Sequence, residues 1–251
     1  MGDGGVRQRK HERIAEELRV QIRTGQLTDG DRLPGENALM EMYGVARMTA
    51  RQALADLQNE GLAVARKGSG VYVRTFRPVR RFGAQRLSKE VWGAGRSVWD
   101  ADTSSAPPVV DSLTVTTEPA PEVPARMLTL STDDRVVVRS RRYSINGEPV
   151  QLATAYIPAV LAEGTPIAEE NTGPGGVFAR LADLGHAPVR FTEEVYARMP
   201  TPQESDELRL TTGTPVICVA RTAFAAGDRP VEFSEMTLSS TAYVLSYDFQ
   251  A

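Results

Sequence analysis

Residues 47–73, RMTARQALADLQNEGLAVARKGSGVYV, decide the fold of the N-terminal part of this chain. Apolar residues recur at helical spacing between Ala50 and Leu57, and Gly61 follows them as a natural helix stop. Two short segments of alternating character come next, joined by the turn at residues 67–70, KGSG. The two glycines give this turn the backbone freedom that a tight hairpin needs. The stretch therefore predicts a helix, a stop and a β-hairpin.

Two more helices are predicted before this stretch. Ile14, Leu18 and Ile22 mark one apolar face across residues 11–24. A second, shorter helix covers residues 36–43 and is stopped by the glycine that follows it. Three helices followed by a hairpin form a winged helix-turn-helix, in which the last helix enters the major groove of DNA.

The polar side chains of the third helix and of the hairpin tip are candidates for DNA contact. Arg47, Thr49 and Arg51 lie on or near the N-terminal, outward side of the helix. Arginine is a common reader of guanine, and its fork also grips phosphate. Lys67 and Gly68 lie at the wing tip, within reach of the backbone or the minor groove. Each charge alone fits an ordinary solvated surface, but the helix order and the wing together favour DNA.

Charge and composition agree with this interpretation. Residues 1–77 hold 13 lysines and arginines against 10 acidic residues, whereas residues 78–251 hold 16 against 22. The basic excess therefore lies in the segment with the helix and the wing, which supports DNA binding without establishing it. No apolar run approaches the roughly 20 residues of a membrane span, and the N-terminus is polar, so we expect a cytoplasmic protein with no membrane partner.

The rest of the chain predicts an α+β domain dominated by antiparallel strands. The turn Asn146-Gly147 is a strong hairpin signal between the first two strands. The expected strands cover residues 136–145, 151–157, 191–199, 215–224 and 231–238, with helical patches at residues 176–185 and 201–210. Proline-rich loops are expected at residues 104–109 and 118–124. The boundaries are a DNA-binding domain at residues 1–76, a linker at 77–85 and a second domain at 86–251.

The second domain carries candidate ligand-binding residues but no catalytic set. Arg139 and Arg141 share one face of a strand, an arrangement that calls for an anion between them. That anion is either a ligand group or a neighbouring acidic side chain. The sequence has no Cys/His spacing typical of a metal site and no phosphate-cradling glycine motif, so we expect no cofactor, no metal and no catalytic residue.

Residues 14–74 resemble the DNA-binding domain of GntR-type transcription regulators. The resemblance is carried by the motifs G-x-L-x-x-G-x-x-L-P-x-E, V-x-R-x-T-x-R-x-A-L-x-x-L-x-x-E-G-L and G-S-G-x-Y-V. It implies that the three helix residues and the two wing residues named above contact an operator. Gly35 and Ala46 depart from the hydroxyl residues that usually precede the second and third helices. Asn37 stands where many members carry a DNA-contacting arginine, so it either reads adenine or does nothing.

The second domain resembles the UTRA effector domain of the HutC subgroup. Four stretches carry the resemblance: RRYSINGEP at residues 141–149, a stretch that ends in Tyr156-Ile157-Pro158, T-P-x-E-x-x-x-L-x-L-x-x-G-T-P at residues 201–215, and Arg221 with the later Pro230-Val231-Glu232-Phe233. It implies a chorismate-lyase-like fold without the activity, used to bind a small molecule and to dimerise. In the sugar-phosphate pattern R-x-R-x-x-x-x-E-P-x-x-x-E, this chain has Arg141 and Glu148 but Tyr143 for the second arginine and Ala153 for the last glutamate.

The resemblance leaves Arg141 as the best ligand-binding candidate, with Arg139 as a possible substitute for the missing arginine. Tyr243 matches a family tyrosine that closes on the ligand. We therefore interpret the chain as a repressor that binds an inverted repeat as a homodimer through its C-terminal domain and responds to a small, anionic effector. Two alternatives stay open: a DNA-binding plasmid-maintenance or structural factor with no ligand, and a chorismate-lyase-like enzyme.

Overall fold

The computed structural model describes residues 9–66, 68–74, 79–83, 85–94, 108–131 and 133–248. Packing divides the chain into two compact units, Met1–Arg77 and Pro78–Ala251. The two units are different in architecture, and each has a hydrophobic core of its own.

The first unit is built of three helices and a hairpin. In chain order these are α1 (Lys10–Arg23), α2 (Glu36–Tyr43), α3 (Arg47–Asn59), β1 (Ala63–Arg66) and β2 (Gly70–Val73). β1 and β2 pair in antiparallel fashion and form the wing. The predicted helices and hairpin are all present, with bounds that differ by one or two residues.

The core of this unit follows from the apolar spacing of its helices. Ile14 and Leu18 of α1, Leu39 of α2, and Leu54 and Leu57 of α3 are all buried in one cluster. Because residues three and four apart share a helix face, each helix buries one stripe and leaves the opposite face in solvent. For α3 the solvent face is the one that carries the arginines.

The second unit is a six-stranded antiparallel sheet with helices and a small parallel pair against it. In chain order its elements are β3 (Val79–Phe82), α4 (Lys89–Trp92), β4 (Val109–Pro119), α5 (Glu122–Met127), β5 (Arg135–Ile145), β6 (Glu148–Pro158), α6 (Ala159–Ala162), α7 (Gly176–Asp183), β7 (Arg190–Arg198), α8 (Pro202–Glu207), β8 (Val216–Ala225), β9 (Arg229–Ser239) and β10 (Tyr243–Ser246). The strand order in the sheet is β4-β5-β6-β9-β8-β7. β3 and β10 form a separate parallel pair.

The two faces of the sheet are covered differently. On one face, called the inner face below, Val137 of β5 and Ile157 of β6 pack with Trp92 of α4 and with Phe178 and Leu181 of α7. The pair of β3 and β10 packs farther along the same face, against side chains of β5, β6, β8 and β9. On the opposite face, α5 and the residues after α8 form two smaller clusters. Two separate groups of elements therefore cover the inner face: α4 with α7, and β3 with β10.

Several segments differ from their predicted structure. β3 lies in the predicted linker, and β4 and α5 lie largely where loops were expected or nothing was assigned. In β3 the buried residues are Val79 and Arg81. Because one of these two is an arginine, the sequence does not show the alternation of apolar and polar residues that marks a strand. β4 is an edge strand whose residues are mostly exposed, so it also lacks that alternation. β10 was not predicted either, and its only partner strand, among the described residues, is the distant β3.

Candidate DNA-reading surface and ligand cavity

The N-terminal turn of α3 presents the predicted DNA-contacting side chains. Arg47 and Arg51 are exposed, with 59% and 58% of their side-chain surface accessible. Thr49 lies between them and is half-buried. Met48 is exposed on the same turn. Because positions 47 and 51 are one helical turn apart, the two guanidinium groups lie above one another on one face.

Two residues at the start of α2 hold these arginines in place. The carboxylate of Glu36 accepts a hydrogen bond from Arg51 Nε at 2.8 Å and lies 3.6 Å from Arg47 Nε. Asn37 Oδ1 accepts a hydrogen bond from Arg47 Nη2 at 3.1 Å. The hydrogen bond from Arg51 lowers the pKa of Glu36. The starts of α2 and α3 therefore form one polar surface, in which Asn37 contacts an arginine of α3.

The N-cap residues of α2 and α3 are the two positions at which the sequence departs from the hydroxyl residues usual in the family. Gly35 and Ala46 are the N-cap residues of α2 and α3, and neither makes a side-chain hydrogen bond to the helix. A Ser or Thr at an N-cap typically adds about 1 kcal/mol of stability through such a bond. The first amide groups of α3 are thus left without a side-chain acceptor from the cap residue.

The wing tip contains the other two residues that are predicted to contact DNA. Gly68 is exposed and has a φ of 74°, in the left-handed region that favours glycine. Lys67 lies outside the residues that the structure describes. On the described part of the wing, the guanidinium of Arg66 lies 4.4 Å from the centre of the Tyr72 ring. This cation on an aromatic face is a further basic group on the wing that the sequence reading did not single out.

The second unit contains a cavity of about 350 Å³ on the inner face of the sheet. Its floor is formed by side chains of β5, β6, β8 and β9. Its wall is formed by the glycine-rich segment 173–176, by the start of α7 and by Arg86, which follows β3. This volume lies within the range of small-molecule sites.

Two of the predicted ligand residues line this cavity. Arg141 and Tyr143 lie on the inner face of β5, two residues apart, and both contribute to the lining. Ala153 lines the cavity as well, opposite Arg141 in the register of β5 and β6. The alanine that replaces the family glutamate is therefore part of the wall, and it leaves room where the longer side chain would lie.

Arg139 does not line the cavity, and this position does not agree with the prediction that it contacts a ligand. It is 1% exposed and is not among the described residues that line the cavity. Its guanidinium donates to the carbonyl groups of Ile167 at 2.6 Å, Glu170 at 2.9 Å and Glu169. Burial, together with the charge of Arg141, lowers the pKa of Arg139 to about 10. Backbone carbonyls, which were not considered in the sequence reading, thus take the place of the expected anion.

Glu148 and Tyr243 also lie outside the lining of the cavity as the described residues define it. Glu148 is exposed at the end of the β5–β6 hairpin, paired with Ile145. Tyr243 is 1% exposed and packs with Tyr143 and Met236, which do line the cavity. Glu148 is therefore not part of the cavity wall, whereas Tyr243 belongs to the same apolar cluster as two of the lining residues.

Several polar residues of the cavity were not selected from the sequence as site residues. Gln151, Arg221 and Glu232 are 1%, 8% and 4% exposed, and all line the cavity. Arg221 and Glu232 were noted only as parts of a family motif. Each lies among apolar residues in a strand with its side chain on the inner face, and that rare pattern is a usable signal for a buried polar site.

Neither a metal centre nor a membrane segment is found among the residues that the structure describes. There, no three His, Cys, Asp or Glu side chains come close enough together to hold a metal ion. None of the described helices has the length and apolar character needed to cross a bilayer.

Comparison with known families identifies both units. Residues 10–73 match the bacterial regulatory proteins of the gntR family, and residues 106–244 match the UTRA domain. The first match covers the helices and the wing. The second covers the sheet and every cavity residue except Arg86. Both expected resemblances are confirmed, as are the α+β architecture and the assignment as a regulator, not an enzyme.

Individual relatives agree over nearly the whole chain. The HTH-type transcriptional regulator SCO4628 of Streptomyces coelicolor is 31% identical over 96% of this chain and 93% of its own. The mannosyl-D-glycerate transport/metabolism system repressor MngR of Escherichia coli is 28% identical, over 93% and 92%. A crystal structure assigned to the GntR family superposes with a TM-score of 0.63 at 28% identity, covering 97% of this chain and 98% of that one. The chain therefore belongs to the GntR family of transcription regulators and carries a UTRA effector-binding domain behind its DNA-binding domain.

Proposed function

We propose that this regulator is a repressor that binds an inverted-repeat operator as a homodimer and leaves it when a small anionic effector enters the inner-face cavity. The cavity is the observation that carries the proposal. Among the described residues, its lining includes Arg86, Arg141 and Arg221 against a single carboxylate, that of Glu232. Such a lining attracts an anion.

The glycine-rich wall favours an anion as well. Gly176, Val177 and Phe178 are the first residues of α7, and all three line the cavity. The first amide groups of a helix have no acceptor within the helix, and the helix dipole places partial positive charge there. Amide groups and guanidinium groups thus both contribute positive charge to the wall of the same cavity.

Repression is supported by a relative, and dimerisation by a symmetry argument. MngR, which is similar over nearly its full length, is named a repressor. A single winged domain reads only a half-site, and a two-fold operator matches a two-fold protein, which is the physical reason to expect a dimer. We place the protein in the cytoplasm, where its DNA is.

The DNA-reading residues of the proposal are Arg47, Thr49, Arg51 and Asn37 on the helices, with Lys67 and Gly68 at the wing. Of these, the two arginines are exposed on one face of α3. An arginine in the major groove reads guanine through its fork, so the operator half-site should contain guanine at the positions that they reach.

The effector part is tested by substitution of Arg141. Operator DNA is first selected in vitro with the full-length protein, and its release is then followed by fluorescence anisotropy across a panel of small carboxylates and phosphate esters. We expect one class of anion to release the wild type, and Arg141→Gln to raise the concentration needed by about tenfold or more while leaving operator affinity unchanged. Arg142→Gln is the matched control, because Arg142 lies on the opposite face of β5 and is bonded to Asp111 at 2.8 Å.

Two outcomes would contradict the proposal. If no anion releases the protein and none raises its melting temperature, the alternative of a ligand-independent DNA-binding factor is favoured. If Arg141→Gln and Arg142→Gln respond equally, the cavity is not the effector site. Light scattering of the protein on operator DNA gives the stoichiometry, and one protein chain per operator would exclude the dimer.

A further inference from the structure

We propose that the effector carries a protonated amine beside its anionic group, and that Glu232 and Arg221 recognise this pair of charges. The inference rests on the proposed function, since it concerns the same cavity, and it specifies the ligand class: amino acids and other amine-bearing anions, in preference to hydroxy acids and simple sugar acids. It follows from the way in which these two side chains are buried next to each other.

Arg221 and Glu232 are diagonal neighbours on the inner face. In the register of β8 and β9, Arg221 lies opposite Ser234, and Glu232 lies opposite Ala223. Arg221 Nη2 lies 3.8 Å from Glu232 Oε1, which is too far for a hydrogen bond. The two groups thus form a long ion pair in the cavity wall, without a hydrogen bond between them.

Both groups retain hydrogen-bonding capacity. Among the described residues, Arg221 Nε and Glu232 Oε2 have no hydrogen-bond partner. The other carboxylate oxygen of Glu232 accepts a bond from Ser234 Oγ at 2.6 Å. The guanidinium of Arg221 lies 5.4 Å from the ring centre of Phe178, which offers a cation–π contact but no acceptor atom. A buried acceptor and a buried donor therefore lie together, and each lacks a full set of partners.

This arrangement is costly without a ligand. Burying charged groups away from water is unfavourable unless their partners are near and well oriented, and the cost falls when further hydrogen bonds complete the set. A ligand that offers an acceptor to Arg221 and a donor to Glu232 would complete both. A simple carboxylate or phosphate offers acceptors only, so it would serve Arg221 and leave Glu232 facing an anion.

The choice between an amine and a hydroxyl is decided by charge. A hydroxyl group donates one hydrogen bond to a carboxylate but adds no opposite charge beside it. A protonated amine supplies the donor and the opposite charge together, and hydrogen bonds between charged groups are about twice as strong as neutral ones. The excess of guanidinium groups over carboxylates in the lining still requires the ligand as a whole to be anionic.

The test compares ligands that differ only at this group. Aspartate and malate, glutamate and 2-hydroxyglutarate, and phosphoserine and 3-phosphoglycerate each exchange an amine for a hydroxyl. Dissociation constants are measured with the full-length protein by calorimetry, with melting temperature as a second readout. For at least one pair we expect the amine member to bind about tenfold or more tightly.

Variants then assign the preference to Glu232. In Glu232→Gln the preference for the amine should fall to about twofold or less, because the amide keeps the acceptor and loses the charge. Glu235→Gln is the matched control, since Glu235 lies on the opposite face of the same strand and should leave the preference intact. The comparison in the wild type needs no variant, so it stands even if Glu232→Gln does not fold.

Each remaining outcome contradicts the inference. Equal binding of both members, tighter binding of the hydroxyl member, or a preference that survives Glu232→Gln would each overturn it. If an anion without an amine releases the protein from operator DNA while no amine member binds, the inference fails and the proposed function stands. If no anion of either kind binds, both fail.

Discussion

At the scale of single residues, Glu36 stands out because it sits beside two arginines that we expect to read DNA. Its carboxylate bonds to Arg51 and lies near Arg47, and Asn37 bonds to Arg47. A long arginine side chain loses considerable rotamer freedom when it is fixed against a base. Side chains that are already held in the free protein lose less on binding, which favours specific contacts over random ones.

This leads to a prediction for Glu36→Gln. The variant removes a negative charge from the reading surface and loosens both arginines, so binding to random DNA should strengthen while discrimination for the operator falls several-fold. The salt dependence of operator binding should become steeper by up to about one unit. Arg51→Ala gives the reference for a lost contact, and should cost about 1–3 kcal/mol on the operator and less on random DNA.

Glu41→Gln is the control for the Glu36 variant, because Glu41 is exposed on the same helix and changes the net charge equally. Anisotropy titrations over a range of salt concentrations measure all of these effects. If the two glutamate variants behave alike, only the overall charge matters and Glu36 does not position the arginines. The fold should survive in both cases, since exposed ion pairs contribute only about 0–1 kcal/mol.

At the scale of elements, two arginines on the same face of one strand have different roles. Arg139 and Arg141 share the inner face of β5, but Arg139 holds the carbonyl groups of Ile167, Glu169 and Glu170, while Arg141 lines the cavity. Arg139 therefore fixes the segment that follows α6 onto the sheet. Arg141 remains available to a ligand.

The prediction for Arg139→Met concerns stability. Three carbonyl groups would lose a charged donor, so we expect a loss of about 2–4 kcal/mol in the free energy of unfolding and a melting temperature lower by about 5–10 °C. Arg141→Gln, on the same face, should change the free energy of unfolding by less than about 1 kcal/mol. Thermal unfolding of both variants is the measurement, and equal losses would contradict this division of roles.

A second element-scale feature is the ion pair that ties the start of α8 to β7. Glu204 accepts two hydrogen bonds from Arg198, both at 2.7 Å, and further bonds from Thr237 Oγ1 and the amide of Thr201. The hydrogen bonds from Arg198 lower the pKa of Glu204 to about 2. A carboxyl group whose pKa is lower in the folded state stabilises the fold above its unfolded pKa.

The pH dependence follows from the sign of this shift. The contribution of Glu204 should be complete above about pH 4.5 and should disappear as the pH falls towards 2, because the folded protein then takes up the proton as well. Glu204→Gln should therefore lower the free energy of unfolding by about 2 kcal/mol at pH 7, and the difference from wild type should shrink below pH 4. The control is Glu207→Gln, near the end of the same helix, which should change little at either pH.

Urea denaturation followed by tryptophan fluorescence measures this difference. Both tryptophans, Trp92 and Trp99, belong to the second unit, so the signal reports the unit that contains Glu204. A constant difference between wild type and Glu204→Gln from pH 7 to pH 3 would show that the ion pair is not the source of the stabilisation.

At the scale of the whole molecule, two units with different chemistry share one chain. One carries exposed arginines on its third helix, and the other encloses a cavity whose lining includes three arginines. An effector controls DNA binding only through its different affinity for the DNA-bound and the free protein. The two ligands are therefore linked in both directions.

This linkage gives a quantitative prediction. If saturating effector weakens operator affinity by a given factor, saturating operator must weaken effector affinity by the same factor. Calorimetric titration of the effector into the free protein and into the protein–operator complex measures the second factor. Release of DNA without any change in effector affinity would show that the compound does not act by binding to the protein.

Much of the fold was predictable because its signals are local. The helices of the first unit follow from apolar residues three and four apart, and the hairpin of β5 and β6 follows from Asn146-Gly147. The exposed arginines of α3 were predictable for the same reason, since the apolar face of a helix also defines its polar face. β3 and β10 were not, because their pairing joins Val79 to Tyr243, far apart in the sequence.

By itself, the sequence determined the winged helix, its arginine-bearing face, five of the six strands of the sheet and the family, because each depends on spacing along the chain. The tertiary structure alone decided that Glu36 holds Arg51, that Arg139 is occupied by carbonyl groups, and that Arg221 and Glu232 meet in the cavity. In each of these interactions the partners lie on separate elements of the fold. Whether a charge is free, bonded or buried depends on which elements pack beside it, and spacing along the chain does not carry that information.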